Sequence, residues 1–285
     1  MTPLVSNTNL SSRRKRLAEA LRDARSSAGV SGRTMAADLG WSQPKISRSE
    51  HGLNVPGTDD IRRWLTYCAV SDQQKSEILD LADEVATEVV TNRELNRAGH
   101  AAQQRERIAH DAEADTIRIY QPEVVPGLLQ TSEYARRLLL DIGSATPETV
   151  SDSVAARAER QSIVYDGTVT IEAVITETAL AWQPGPASVS REQLDRLRTL
   201  AELPHVHLGI VSREQQKHVP TCNSFVLTRW PDGESDVVTE SLTAEVTITD
   251  PDDIATYAAM FERQRKAATY EDLSPLLTRV INDLD

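Results

Sequence analysis

Gln43, Lys45 and Arg48 crowd into "SQPKISRSEHG", residues 42–52, offering an amide, an ammonium and a guanidinium from one short segment. If the segment is a helix, these groups point outward together and share one chemistry, hydrogen bonding to a fixed pattern of partners. A glutamine amide can bond adenine, and a guanidinium can grip guanine O6 and N7. Lys45 and Ser47 can reach either base edges or phosphate oxygens. Ser42 is a good N-cap residue, which puts Pro44 in the first helical turn, where a missing N–H costs nothing and a fixed φ helps. The ring edge of Pro44 also suits a thymine methyl. "HGLNVPG" ends the helix, leaving His51 and Asn54 beyond it to meet the sugar-phosphate chain.

Other elements must carry that helix. Leu17, Leu21 and Ala28 follow helical spacing from Arg13, until Gly29 breaks the run. Ser31 can N-cap a second short helix that ends at Leu39 and turns its Met35, Ala36 and Leu39 inward. Ser31 and Arg33, at its start, fall where a helix N-terminus attracts phosphate. Gly40 supplies a tight turn, and Ile46 anchors the helix that follows. Trp41, in the turn, either packs on the module or lies along a DNA backbone. A fourth helix over 58–69 and a fifth from Ser71 complete the bundle, burying Ile61, Leu65, Ile78 and Leu81.

Charge sets this part apart. Residues 1–70 hold eleven Lys and Arg against six Asp and Glu, a net of +5. The formal charge of the whole chain is −12, so the remainder carries −17. A basic module on an acidic body points to nucleic-acid contact confined to one end.

Residues 14–72 resemble the lambda-repressor-like, Cro/C1-type (XRE) helix-turn-helix domain. The resemblance rests on "ADLGWSQPKISRSEHG" and the P-x-x-x-x-I-R-R-W that follows. It implies an all-α five-helix DNA-binding domain that acts on duplex operator DNA as a homodimer. In that family a glutamate at the position of Glu50 pairs with an arginine of the first helix, here Arg25. Ser49 departs from the pattern, because relatives carry an aliphatic residue there; a serine can instead bond back to a carbonyl one turn earlier.

After a charged segment over 83–112, read as a helical connector, the periodicity changes. "TIRIYQPEVV", "TVTIEAVITETAL", "HVHLGIV", "SFVLTRW", "DVVTES" and "AEVTIT" alternate as strands, with helices among them and a long helical stretch over 252–284. Strands mixed with helices predict a larger α/β (α+β) domain over 113–285. "DGES" reads as a hairpin turn. Pro126-Gly127 suits a type II turn, so Pro126, Gly127, Leu128, Leu129 and Gln130 form either a structural corner or a loop for a partner or ligand. Arg157, Glu159 and Arg160 read as a solvated helix face. Residues 110–282 resemble the uncharacterised domain of actinobacterial WhiJ-like regulators, through "VPGLLQTSEYAR", "RAERQ" and "YAAMFERQRKAA". That resemblance implies a small acidic partner protein.

Enzyme chemistry finds little support. His205, His207, His218 and Cys222 match no closed zinc spacing, and the chain has no nucleophile elbow, P-loop or dinucleotide fingerprint. No metal or cofactor is expected. Cys68 and Cys222 suggest no disulfide framework, no apolar run is long enough for a membrane span, and residues 1–12 read as disordered without a secretory signal. The expectation is a cytoplasmic, nucleoid-associated, sequence-specific transcription regulator whose second domain binds a protein partner or small-molecule effector. The alternative is an interaction module of a toxin–antitoxin-like or two-protein complex with autoregulatory DNA binding.

Overall fold

The protein is seen in a computed structural model that describes residues 12–85, 87–91, 107–108, 110–241 and 244–284. It begins with five helices: α1 (Ser12–Ser27), α2 (Gly32–Leu39), α3 (Gln43–Glu50), α4 (Thr58–Tyr67) and α5 (Asp72–Val85). The short helices start where side chains replace missing backbone partners. Ser31 Oγ accepts the Thr34 N–H and Ser42 Oγ accepts the Lys45 N–H, each at 3.1 Å. Gly40, at φ +70°, stops α2 in the left-handed conformation that a side chain would resist. Leu17, Leu21, Met35, Ile46, Ile61 and Leu65 close around Trp64, whose Nε1–H donates to the Leu21 carbonyl at 3.2 Å.

The second domain is a helical and mixed-sheet body. Its sheet has the strands β1 (Thr87–Thr91), β2 (Thr116–Gln121), β3 (Thr170–Thr176), β4 (Val206–Val211), β5 (Phe225–Arg229), β6 (Ser235–Glu240) and β7 (Ala244–Ile248). Their order across it is β1-β7-β6-β5-β2-β3-β4. The β2, β3 and β4 strands are parallel, while β5, β6, β7 and β1 continue antiparallel from β2. Alternation along β3 feeds two cores. Ile171, Ala173 and Ile175 face one set of helices: α6 (Ser132–Asp141), α8 (Ile163–Asp166), α9 (Glu177–Leu180), α10 (Ala187–Leu200) and α12 (Ser274–Asn282), while α7 (Val150–Arg160) packs on α6 in a small cluster of its own. Val174 belongs instead to the cluster of Tyr120, Phe225 and Phe261, the last on α11 (Pro251–Ala267). Both faces of the sheet are thus covered, as parallel strands require.

Several expectations need correction. Residues 87–91, expected within a helical connector, form a strand paired with β7; Thr87, Val89, Val90 and Thr91 are β-branched and favour extended backbone. Residues 92–106 of that connector lie outside the described residues, as do residues 1–11 of the segment expected to be disordered. The strand expected through Leu180 stops at Thr176, whose hydroxyl caps α9 by accepting the Ala179 N–H at 3.1 Å. The C-terminal helical stretch is broken after Ala267, where Thr269 pairs with Ile210 on β4, exchanging two backbone bonds of 2.9 Å. Among the described residues no helix is long and apolar enough to cross a membrane.

That break depends on a missing side chain. A Cβ at Gly209 would come within 2.5 Å of Tyr270 Cζ and 2.9 Å of Ala268 Cβ. Gly209→Ala is therefore expected to cost about 1–3 kcal/mol by overpacking, read as a lower urea midpoint. An unchanged midpoint would mean that the 268–273 segment gives way freely.

Candidate nucleic-acid interface

α3 is fixed to its bundle from three sides. Ile46 is fully buried, and its Cγ2 would stand 3.3 Å from a Cβ at Gly32, so α2 and α3 cross closely there. Arg25 Nη2 donates to Glu50 Oε2 at 2.9 Å while its Nε bonds Oε1, a two-pronged pair that ties the end of α3 to α1. Arg25 Nη1 also donates to the Val30 carbonyl at 2.7 Å, and Arg22 donates to the Glu50 carbonyl. Ser49, fully buried, donates its hydroxyl to the Lys45 carbonyl at 2.9 Å. Trp41 packs at a tilt against Trp64, ring centroids 6.1 Å apart, with Lys45 and Arg63 over its ring.

The ten residues expected to face DNA divide into two groups. Ser31, Arg33, Gln43 and Pro44 are exposed; Ser47 and His51 are half-buried, with His51 Nδ1–H donating to the Ser47 carbonyl at 2.7 Å. The other four are not offered outward, which corrects the expectation. Arg48 is 3% exposed, Lys45 5% and Asn54 1%, and with Ser42 they meet the acidic domain. Arg48 Nη1 donates to Glu113 Oε2 at 3.1 Å and its Nη2 pairs with Asp232. Lys45 Nζ lies between Asp60 and Glu234. Ser42 Oγ donates to Asp232 Oδ2 at 3.0 Å, and Asn54 Nδ2 reaches Glu234 Oε2 at 3.5 Å. The two cations are thus met by carboxylates of the second domain, Glu113 and Asp232 for Arg48 and Glu234 for Lys45, with Asp60 of the bundle on the other side of Lys45.

Asp232 and Glu234 come from the turn between β5 and β6, and Glu113 from the segment just before β2. Gly233 N–H donates to the Trp230 carbonyl and Trp230 N–H to the Glu234 carbonyl, both at 2.9 Å. Pro231 pre-sets the turn and Gly233 takes φ +87°. Asp232 Oδ1 accepts the Glu234 N–H at 3.3 Å, which orients the two acids. The Arg48 guanidinium lies 5.2 Å over the Trp230 ring. Trp230 is propped in turn by His110, edge-on at 4.9 Å, whose carbonyl accepts the indole N–H at 3.3 Å. The His110 ring bridges Asp111 at 3.1 Å and Asp236 at 2.9 Å. Burial alone would lower its pKa, but the charge of Asp236 and the bonds to both carboxylates raise it to about 9. Sequence reasoning identified the turn and missed its partners. Its acidic "DGES" composition was the available signal.

The Pro126–Gln130 stretch is not a surface loop. Gly127 is absent from the residues at positive φ and begins a single 3-10 turn, Gly127–Leu129, in place of the expected type II turn. Leu128, Leu129 and Gln130 are buried. Gln161 Nε2 donates to the Gly127 and Gln130 carbonyls at 2.7 and 2.9 Å, and Gln193 Nε2 to the Leu129 carbonyl at 2.9 Å. Arg157 Nη1 donates to Gln130 Oε1 at 2.6 Å, and Arg160 pairs with Asp111 at 2.7 Å. Arg157 and Arg160, expected on a solvated face, are half-buried and bound instead, Arg157 to the side chain of the buried Gln130 and Arg160 to the buried Asp111; the corner's carbonyls take their donors from Gln161 and Gln193. His205 bonds the Val164 carbonyl at 2.8 Å, while His207 and His218 are exposed. Among the described residues no three His, Cys, Asp or Glu side chains converge as a metal site.

Two outcomes follow. Glu50→Gln should destabilise the protein by on the order of 3 kcal/mol, because it leaves Arg25 largely buried and unpaired; a urea midpoint equal to wild type would dissolve the assigned role of the pair. The folded His110 pKa lies above the ordinary value of about 6.5, so its stabilisation is complete below that value and is lost as pH rises through about 9. The stability difference between wild type and His110→Gln should shrink across that window, as followed by urea titration; a difference that stays flat would contradict the assignment.

Residues 16–78 match a family described as a helix-turn-helix domain. Residues 104–275, more than half of the chain, match the family described as "Domain of unknown function (DUF5753)". No curated protein matches the chain. Among solved structures, TrmBL2, an archaeal chromatin protein reported to show a novel mode of DNA binding, gives a weak likeness. It is 14% identical, covers 90% of this chain and 99% of its own, and has a TM-score of 0.31. The helix-turn-helix domain supports a DNA-binding regulator, and the chain belongs to the DUF5753 family.

Proposed function

We propose that the protein is a sequence-specific transcription regulator that docks α3 in the major groove of operator DNA as a homodimer, in the cytoplasm. The observation that carries this reading is α3 itself: a helix capped at Ser42, locked to α1 by Arg25 and Glu50, with Gln43 and Pro44 exposed at its first turn. Gln43 is assigned to an adenine edge and Pro44 to a thymine methyl. Arg48 and Lys45 are the cations for guanine and phosphate. Ser47, His51 and Asn54 complete the contact, and Ser31 and Arg33 hold the backbone beside the N-terminus of α2.

The second domain is assigned to a protein partner or small-molecule effector. The buried Pro126–Gln130 corner is not the surface for it, since Leu128 and Leu129 are already packed. The family match supports a domain shared among such chains and names no ligand.

Selection from a random duplex pool, read by sequencing, should enrich a paired half-site. Gln43→Ala should lower discrimination at one base position of each half-site by about 1–3 kcal/mol while leaving stability intact. Binding should weaken steeply with salt as phosphate contacts release counterions. A pool that shows no enrichment at low salt would overturn the reading.

A further inference from the structure

The side chains best suited to DNA are occupied by the protein's own carboxylates. Resting on the function proposed above, we propose that the β5–β6 turn is an autoinhibitory clasp in which Asp232 and Glu234, with Glu113, stand in for nucleic acid on α3. The substitution is close in kind. Glu113 and Asp232 take the two arms of the Arg48 guanidinium, the fork a guanine edge would take. Glu234 takes the Lys45 ammonium, which a phosphate would take. Asp232 accepts the Ser42 hydroxyl at the N-terminus of α3, where the helix dipole draws an anion.

The two occupants exclude one another. A guanidinium that is 3% exposed and lies against Trp230 cannot reach a base edge. A duplex brought up to α3 would also set its phosphates against Asp232 and Glu234. The closed arrangement leaves something unused: Arg48 Nε and Asn54 Oδ1 are buried without a protein hydrogen-bond partner among the described residues. Two buried polar atoms left in this way weaken the closed state relative to a fully bonded one. The clasp is thus held by charge and can be opened by a competing polyanion.

If the open form is a minor fraction, the apparent affinity for DNA is reduced by that fraction. Asp232→Asn with Glu234→Gln removes the charge while keeping acceptors for the Glu234 N–H and for Asn54, so the turn should still form. Fluorescence anisotropy with a labelled random-sequence duplex pool is the first measurement, made on the full chain at low salt. Asp141→Asn with Glu202→Gln, two exposed acids of the same domain outside the turn, is the control for the change in net charge. The clasp variant should bind about tenfold or more tightly than this control. Equal affinity of the two, with DNA bound by both, overturns the clasp and leaves the regulator reading intact. No binding by any of the proteins overturns the regulator reading itself, and the clasp with it.

A zero-length carbodiimide cross-link between Lys45 and Glu234, identified by peptide mass, provides the second measurement on wild type. It should form in the free protein and be suppressed by saturating duplex. A yield that is the same in the DNA complex overturns the competition, whatever the variants do.

Discussion

A guanidinium removed from water must be met by carboxylates or by an aromatic face, and Arg48 has both. Glu113 and Asp232 hold its nitrogens and Trp230 lies under its plane. A buried cation that lost those partners would be costly, so this one side chain fixes where the β5–β6 turn must sit against α3. Much of the joint follows from it. Trp230 is stacked to serve the arginine, His110 is wedged to hold Trp230, and Asp111 and Asp236 hold the ring of His110. Asp111 then takes Arg160 from α7. A line of alternating charge runs from α3 into the body of the second domain.

The helical domain was largely legible in the sequence because its signals are local. Serine caps at Ser31 and Ser42, a glycine stop at Gly40 and a proline in a first turn act within a few residues of themselves. The strands were legible by alternation, though their ends were not. Thr176 and Gln121 look as strand-like as the residues after them, and a hydroxyl cap or a proline decides the boundary. Segment 87–91 was misread because its neighbours are charged, while its own β-branched residues find an edge to pair with only after the chain has returned through β7.

The joint was illegible for a different reason. Arg48 and Asp232 are 184 positions apart, and no periodicity links them. Sequence reading could see that Arg48 faced away from its own core, and it could see an acidic turn. It could not bring the two together, since that depends on how one folded domain lies against another. Arg157 was misjudged similarly: on α7 it looks like a solvent-facing residue, yet the side-chain amide of Gln130, in a buried corner 27 positions earlier, takes its guanidinium.

Val85 closes α5 and Thr87 opens β1, so the DNA-binding bundle is joined almost directly to the edge of the sheet that also carries the β5–β6 turn. A tether that short keeps the acidic turn at high effective concentration beside α3. Diluting the protein would not loosen that contact, because both halves travel together. In the proposed clasp, an incoming duplex must therefore compete with a partner that never diffuses away from α3.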